Sequence, residues 1–174
     1  MTNPATNNLT AEGVRIRLAE PDDCEAIRAL FQQSLIEGQT DDGDAGEDID
    51  SLQDWYFADD GASGFWVAEH EGTVIGMIGV RNLHDDVAEM RRLRVAPAYR
   101  RQGIGSRLME QAVRFCKDQG YLKVRLDVRS ERTPAIALFE KLGFVHSRTR
   151  EMKGRTRLDF YLDLYSDPES NNHG

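Results

Sequence analysis

Hydrophobic and polar positions in this chain follow two periods, and the switches between them mark out its elements. Val14-Arg15-Ile16-Arg17-Leu18 alternates with period two, the pattern of a half-buried strand. Glu20-Pro21-Asp22-Asp23 then signals a helix start, with acids at the positive end of the dipole. Ala26, Ile27, Leu30, Phe31, Ser34 and Leu35 recur at helical spacing until Gly38. A second short helix is predicted over 49–57, with Leu52, Trp55 and Tyr56 turned inward. Segments 64–69 and 73–80 read as a hairpin across Glu71-Gly72, followed by a polar turn over 82–87 and a strand over 88–95. Ile104, Leu108, Ala112 and Phe115 form the apolar stripe of the next helix, which stops before Gly120. A strand over 122–128 follows. Thr133-Pro134 opens a helix that Gly143 ends, and 146–152 with 156–164 form a last hairpin across Lys153-Gly154.

The order β-α-α-β-β-β-α-β-α-β-β predicts an α/β (α+β) fold with a mixed, mostly antiparallel central sheet and helices on both faces. A single domain is expected over 14–164, with flexible tails at 1–13 and 166–174. A chain of 174 residues with 40% hydrophobic content is long enough for one real core. It has no apolar run near membrane-spanning length and no basic-then-apolar leader, so a cytoplasmic protein with no membrane partner is expected. Cys24 and Cys116 are too few for a disulfide framework or a zinc knuckle and read as small apolar residues on helix faces.

The net charge of −8 hides a division. Residues 29–80 contain no Lys or Arg and twelve acids, whereas 89–157 contain eighteen Lys plus Arg against seven acids. The basic half suits a phosphate-bearing ligand, while the overall acidity argues against nucleic acid. Within the acidic part, 40–48 offers oxygen ligands but lacks the spacing of an EF-hand loop, so no metal site is expected and a solvated loop is favoured.

The stretch 90–108 carries the most specific chemistry. A strand containing Leu93 and Val95 is ended by Pro97, and Arg100-Arg101-Gln102-Gly103-Ile104-Gly105 leads into a helix. Two glycines at a helix start allow close backbone approach, and the free amides of the first turn favour an anion. Three readings fit these residues: a phosphate or pyrophosphate cradle, a tight turn without a ligand, and a dinucleotide turn. The last lacks its third glycine, since Leu108 stands there.

These residues resemble the GNAT N-acetyltransferase superfamily. The family's acetyl-CoA motif is matched by Arg100-Arg101-Gln102-Gly103-Ile104-Gly105, its strand end by Leu93-Arg94-Val95-Ala96-Pro97, and its later helix end by Leu138-Phe139-Glu140-Lys141-Leu142-Gly143-Phe144. The three occur in family order; element order extends the resemblance over about 14–164, while the specific motifs lie in 89–144. The resemblance implies an enzyme that moves an acetyl group from acetyl-CoA to a primary amine by direct attack. It also implies that Leu93, Arg94 and Val95 flank the pantetheine arm and that the amides from Arg101 through Gln102, Gly103, Ile104 and Gly105 to Ser106 hold the pyrophosphate. Glu89 is then the first candidate for general base and Asp127 the second, with the Val95 N–H as oxyanion donor. Phe139 stands where many members place a proton-donating Tyr, and Phe has no proton to donate. Arg132 stands where Asn is frequent, as a contact to CoA or as surface.

The departure at Phe139 keeps a second function open, a non-catalytic acyl-CoA-binding module of the same fold. The acceptor-side region coincides with the acidic stretch, so a cationic acceptor is expected: a polyamine, an aminoglycoside, a lysine-like amine or a basic peptide. A merely solubilising surface is the competing reading. Homodimerisation, common in the family, is left open by the sequence.

Overall fold

The computed structural model of this chain describes residues 13–40 and 43–165. The expected tails, apart from Gly13, and the pair Asp41-Asp42 lie outside the described residues. One seven-stranded sheet forms the centre, in the order β1-β2-β3-β4-β5-β7-β6. The strands are β1 Val14–Leu18, β2 Gly64–His70, β3 Thr73–His84, β4 Val87–Val95, β5 Lys123–Arg129, β6 Val145–Met152 and β7 Arg155–Asp163. All neighbours are antiparallel except β4 and β5, as expected of a mixed, mostly antiparallel sheet.

Helices α1 Cys24–Ile36, α2 Glu47–Asp50 and α3 Leu52–Tyr56 cover one face. Helices α4 Ile104–Asp118 and α5 Thr133–Lys141 cover the other. Two cores result. Ile27, Leu30, Phe31, Ile49, Leu52 and Tyr56 meet Phe65, Val67 and Met77 on the α1 side. Ile104, Leu108, Met109, Ala112 and Cys116 of α4 meet Trp66, Ile78, Val80, Met90 and Val124 on the other. The α4 stripe is the one its spacing predicts. Phe115 sits at its half-buried margin, edge-on to Trp66 at 4.8 Å between centroids.

The start of α1 is pinned by charge. Arg17 donates to both carboxylate oxygens of Asp23 and to Glu69 at 2.6 Å, while the Glu20 N–H donates to Asp23 Oδ2 at 2.7 Å. The Asp23 carboxylate therefore closes a capping box with Glu20 over the 3₁₀ turn Pro21–Asp23 that precedes α1, and ties that turn to β1 and β2.

Three details differ from expectation. The short second helix is two helices, broken at Ser51 (φ −135°, ψ 53°), so that Asp48 and Tyr56 can both turn inward. β3 runs on to His84 and the polar turn shrinks to Asp85-Asp86, because 82–84 pair with the start of β4. Cys116 is buried as expected, but Cys24, on the first turn of α1, is exposed.

β4 holds the two features that make a site. First, the register against β3 shifts between Gly79–Arg91 and Met77–Arg94, and Arg92 lies at φ 62°. This bulge turns the side chains of Arg91 and Arg92 to the same face, the α1 side, and returns Leu93 to the α4 side. Secondly, β5 pairs with β4 only through Val87, Ala88 and Glu89. Beyond Glu89 the two strands part, leaving one edge of β4 open.

Candidate active site

The open edge is defined by hydrogen bonding. Ala96 N–H donates to Ile75 O at 2.8 Å, and Val95 lies opposite Gly76. Alternation in an antiparallel pair then directs the N–H and C=O of Val95 away from β3, into the gap left by β5. The same alternation directs Leu93 there. Their exposed carbonyls are met only by arginine: Leu93 O accepts from Arg94 Nη1 at 2.7 Å and Val95 O from Arg100 Nε at 3.0 Å. Both side chains pack on the α4 side.

A turn of 3₁₀ helix at Pro97–Tyr99 carries the chain from this edge to α4. Arg101 (φ 61°) and Gly103 (φ 79°) both take left-handed backbone, which points successive amides into the turn. Among the described residues, no backbone acceptor meets the amides of Arg101, Gln102 and Gly103, and no side chain caps α4. The first-turn amides of Ile104, Gly105 and Ser106 have no intrahelical acceptor either. A Cβ built on Gly103 meets nothing within 4 Å, so the space before the helix is clear for a ligand. Arg100 spans the site, because its Nη2 also reaches Glu37 at 2.5 Å and holds that carboxyl below its usual range.

Glu89 and Asp127, the two base candidates, both lie on the α1 side of the sheet, and the electric field of Asp127 reaches Glu89. Glu89 is half-buried and its carboxyl is raised above the usual range. Burial is the main cause, opposed by Arg91 and reinforced by Asp127. Arg91 Nε lies 3.5 Å from Glu89 Oε1. Asp127 is more exposed and already accepts from Arg157 at 2.7 Å and Arg150 at 3.4 Å.

A cleft of about 130 Å³ occupies the gap between β4 and β5. Met90, Leu93, Met109, Leu126, Val128 and Phe139 form one wall, on the α4 and α5 side. Gln39, Thr40, Asp44 and several arginines form the other. Phe139 is buried, packed between Phe144 and Phe160 with its ring against the cleft. Arg132 also lines the cleft. Burial, then the charge of Arg100, lower its pKa from the ordinary guanidinium value.

The acidic stretch is not a free negative surface. Asp44 and Asp48 both bond Arg92, Tyr56 O–H donates to Asp48 at 2.5 Å, Asp50 pairs with Arg28, and Glu37 with Arg100. Of the twelve acids, Glu37, Asp44, Asp48, Asp50 and Glu69 pair with arginine among the described residues, while Asp41 and Asp42 lie outside them. Trp66 is core of the opposite face and Tyr56 is fully buried, while Trp55 lies under the guanidinium of Arg81 at 4.3 Å. Sequence reasoning missed this Arg81-Trp55-Arg91 stack and the role of Arg157. Arginine at alternating positions 155 and 157 of a strand was the available signal.

Comparison with known proteins agrees with this geometry. The chain is 36% identical over 102 residues to human N-acetyltransferase 8, covering 56% of this chain and 44% of that one, so it spans less than half of that relative. It is 31% identical over 147 residues to the uncharacterized N-acetyltransferase YjgM of Escherichia coli, covering 80% of this chain and 87% of that one. The structure of yncA from Salmonella typhimurium, solved with its cofactor acetyl-CoA, superposes with a TM-score of 0.77 at 21% identity, covering 90% of this chain and 96% of that one. Among the described residues, no helix is long and apolar enough to cross a membrane. The model of the acetyltransferase (GNAT) family matches residues 25–144, and the chain belongs to that family.

Proposed function

We propose that this chain transfers an acetyl group from acetyl-CoA to a primary amine by direct attack, with Glu89 as general base. The observation that carries this reading is a half-buried carboxylate, raised above its usual range by burial, at the point where β5 leaves β4. The residues fit acetyl-CoA on two counts. The Leu93–Val95 edge is not paired with β5, its carbonyls are met only by the side chains of Arg94 and Arg100 among the described residues, and an extended amide arm could lie along it; the clear space at Gly103 faces free amides suited to a pyrophosphate. When bound, acetyl-CoA supplies the thioester. Glu89 takes the proton that the ammonium must lose, directly or through one water. The Val95 N–H, fixed by its place in the strand, donates to the carbonyl oxygen as negative charge develops there. Phe139 gives no proton, so the sulfur leaves as thiolate or takes its proton from water.

Glu89→Gln is expected to lower kcat by about 10²–10⁴ and leave the KM for acetyl-CoA unchanged. Activity of the native protein rises with pH as Glu89 loses its proton, and this acid limb lies above the ordinary carboxylate range; the variant loses the limb. Full activity in the variant eliminates Glu89 as base. The second reading, acyl-CoA binding without turnover, is favoured by Phe139 alone; tight acetyl-CoA binding with no thiol release for any amine selects it.

A further inference from the structure

The cleft is charged in a way that acetyl transfer alone does not require. Arg91, Arg92, Arg94, Arg129, Arg132 and Arg157 line it against two aspartates, Asp44 and Asp127. Both aspartates are occupied, Asp44 by Arg92 at 2.5 Å and Asp127 by Arg157 at 2.7 Å. Arg94 has no carboxylate in ion-pair contact among the described residues. Its Nη groups donate to the neutral acceptors Leu93 O at 2.7 Å, Thr40 Oγ1 at 3.0 Å and Gln39 O at 3.5 Å. Its Nε is buried with no partner. Burial, then the fields of Arg132 and Arg92, lower its pKa to about 9, with Asp44 the acid that opposes them. A half-buried cation with a buried, unfilled donor among other cations is costly until an anion joins it.

The position of Arg94 says whose anion that is. Its side chain leaves β4 toward Thr40 on the α1 side, whereas Leu93 and Val95 pack on the α4 side. Glu89 and its neighbour Arg91 face the same way as Arg94, toward Trp55 and the α1–α2 loop. The phosphates of a CoA molecule have their own seat at the amides before α4. An amine that must reach Glu89 arrives on the Arg94 side.

Resting on the acetyl-transfer reading above, we propose that Arg94 is the anion-binding residue of the acceptor site. The acceptor is accordingly a small amine that carries a carboxylate, of the amino-acid type. A guanidinium suits this task because its fork matches a carboxylate and stays charged at neutral pH.

The test uses leucine, phenylalanine, aspartate and 4-aminobutyrate, each beside its carboxamide, at matched concentrations of free amine. CoA release from acetyl-CoA is followed. The carboxylate member is expected to have the higher kcat/KM by roughly 10- to 100-fold, the scale of a charge-assisted hydrogen bond. Arg94→Gln raises the acceptor KM by a similar factor, erases the preference and leaves the KM for acetyl-CoA unchanged; Arg94→Lys keeps part of the preference. Arg94→Met raises the melting temperature of the ligand-free protein, because it removes a half-buried charge that no carboxylate offsets, whereas a merely structural arginine would give a fall.

Equal, measurable rates with acid and amide overturn the proposal. So does an Arg94→Gln effect confined to the KM for acetyl-CoA, which assigns the anion to the cofactor. Calorimetric titration of the same pairs into the CoA-loaded protein reads the site without turnover. Binding of the carboxylate members alone upholds the anion site even if no acetyl group moves, in which case the transfer reading is the one that fails. No difference between the members, including no binding of either, overturns the anion site.

Discussion

The two walls of the β4–β5 cleft are built on opposite principles. The α4 wall presents apolar side chains, Leu93 among them, and beyond it lie the strand edge at Val95 and the amides of 101–106. The α1 wall presents charged side chains, chiefly arginines, with Glu89 on the same face of the sheet beside Arg91. A main-chain wall fits any ligand with the matching amide pattern and tolerates side-chain change. A side-chain wall is specific and fragile, because each charge needs a partner at a fixed distance. The comparison predicts a constant cofactor and an adjustable acceptor.

The harshest way to break the main-chain wall is Gly103→Glu. The side chain would enter the clear space before α4 and place a negative charge on the proposed pyrophosphate seat. Acetyl-CoA binding, followed by calorimetry, is expected to vanish, while the fold survives. Gly103→Ala isolates the backbone cost of the left-handed conformation, roughly 1–2 kcal/mol.

On the side-chain wall, Asp48→Asn leaves Arg92 short of a buried partner. With Asp48 2% and Arg92 8% exposed, the loss is about 3–5 kcal/mol in urea unfolding, the usual cost of breaking a buried pair. Asp44→Asn costs less, because the Asp44 side chain is 30% exposed. The pH dependence has a fixed sign. Burial pushes both carboxyls up, but bonds from Arg92 outweigh it and leave them below the ordinary value. Their stabilisation is therefore complete above the unfolded carboxylate pKa of about 3.9 and fades as pH falls through the depressed folded values. Unfolding midpoints measured across acid pH check this, and Asp48→Asn flattens the curve.

The smallest effect is expected at Phe139→Tyr, which adds a proton donor to the apolar wall. A change in kcat of less than about tenfold, with unaltered acetyl-CoA affinity, means that thiolate departure is not limiting.

The α4 wall was largely legible in the sequence. A strand ended by proline, a turn with two glycines and a helix with one apolar stripe are local signals, and main-chain chemistry follows from local conformation. The α1 wall was not. Asp48 and Arg92 are 44 positions apart, and nothing local to either announces the pair. Glu37, Asp44 and Asp48 read as surface because their partners, Arg100 and Arg92, lie in the basic half. The block of acids and the block of arginines were both visible, but that Asp44 and Asp48 meet Arg92 depends on how the chain around α2 folds against β4. The break at Ser51 was equally hidden, since it is set by Asp48 and Tyr56 meeting across it.

The bulge at Arg92 explains why strand periodicity alone misassigns this site. Counted by twos, Glu89, Arg91, Leu93 and Val95 share one side of β4. The single extra residue inverts the count halfway, so Glu89 and Arg91 project toward α3 while Leu93 and Val95 project toward α4. One continuous strand thus presents the Glu89 carboxylate and the Leu93–Val95 edge from opposite faces of the sheet. Deleting one residue there would keep nearly the whole composition of the strand and put the proposed base on the same face as the proposed cofactor edge.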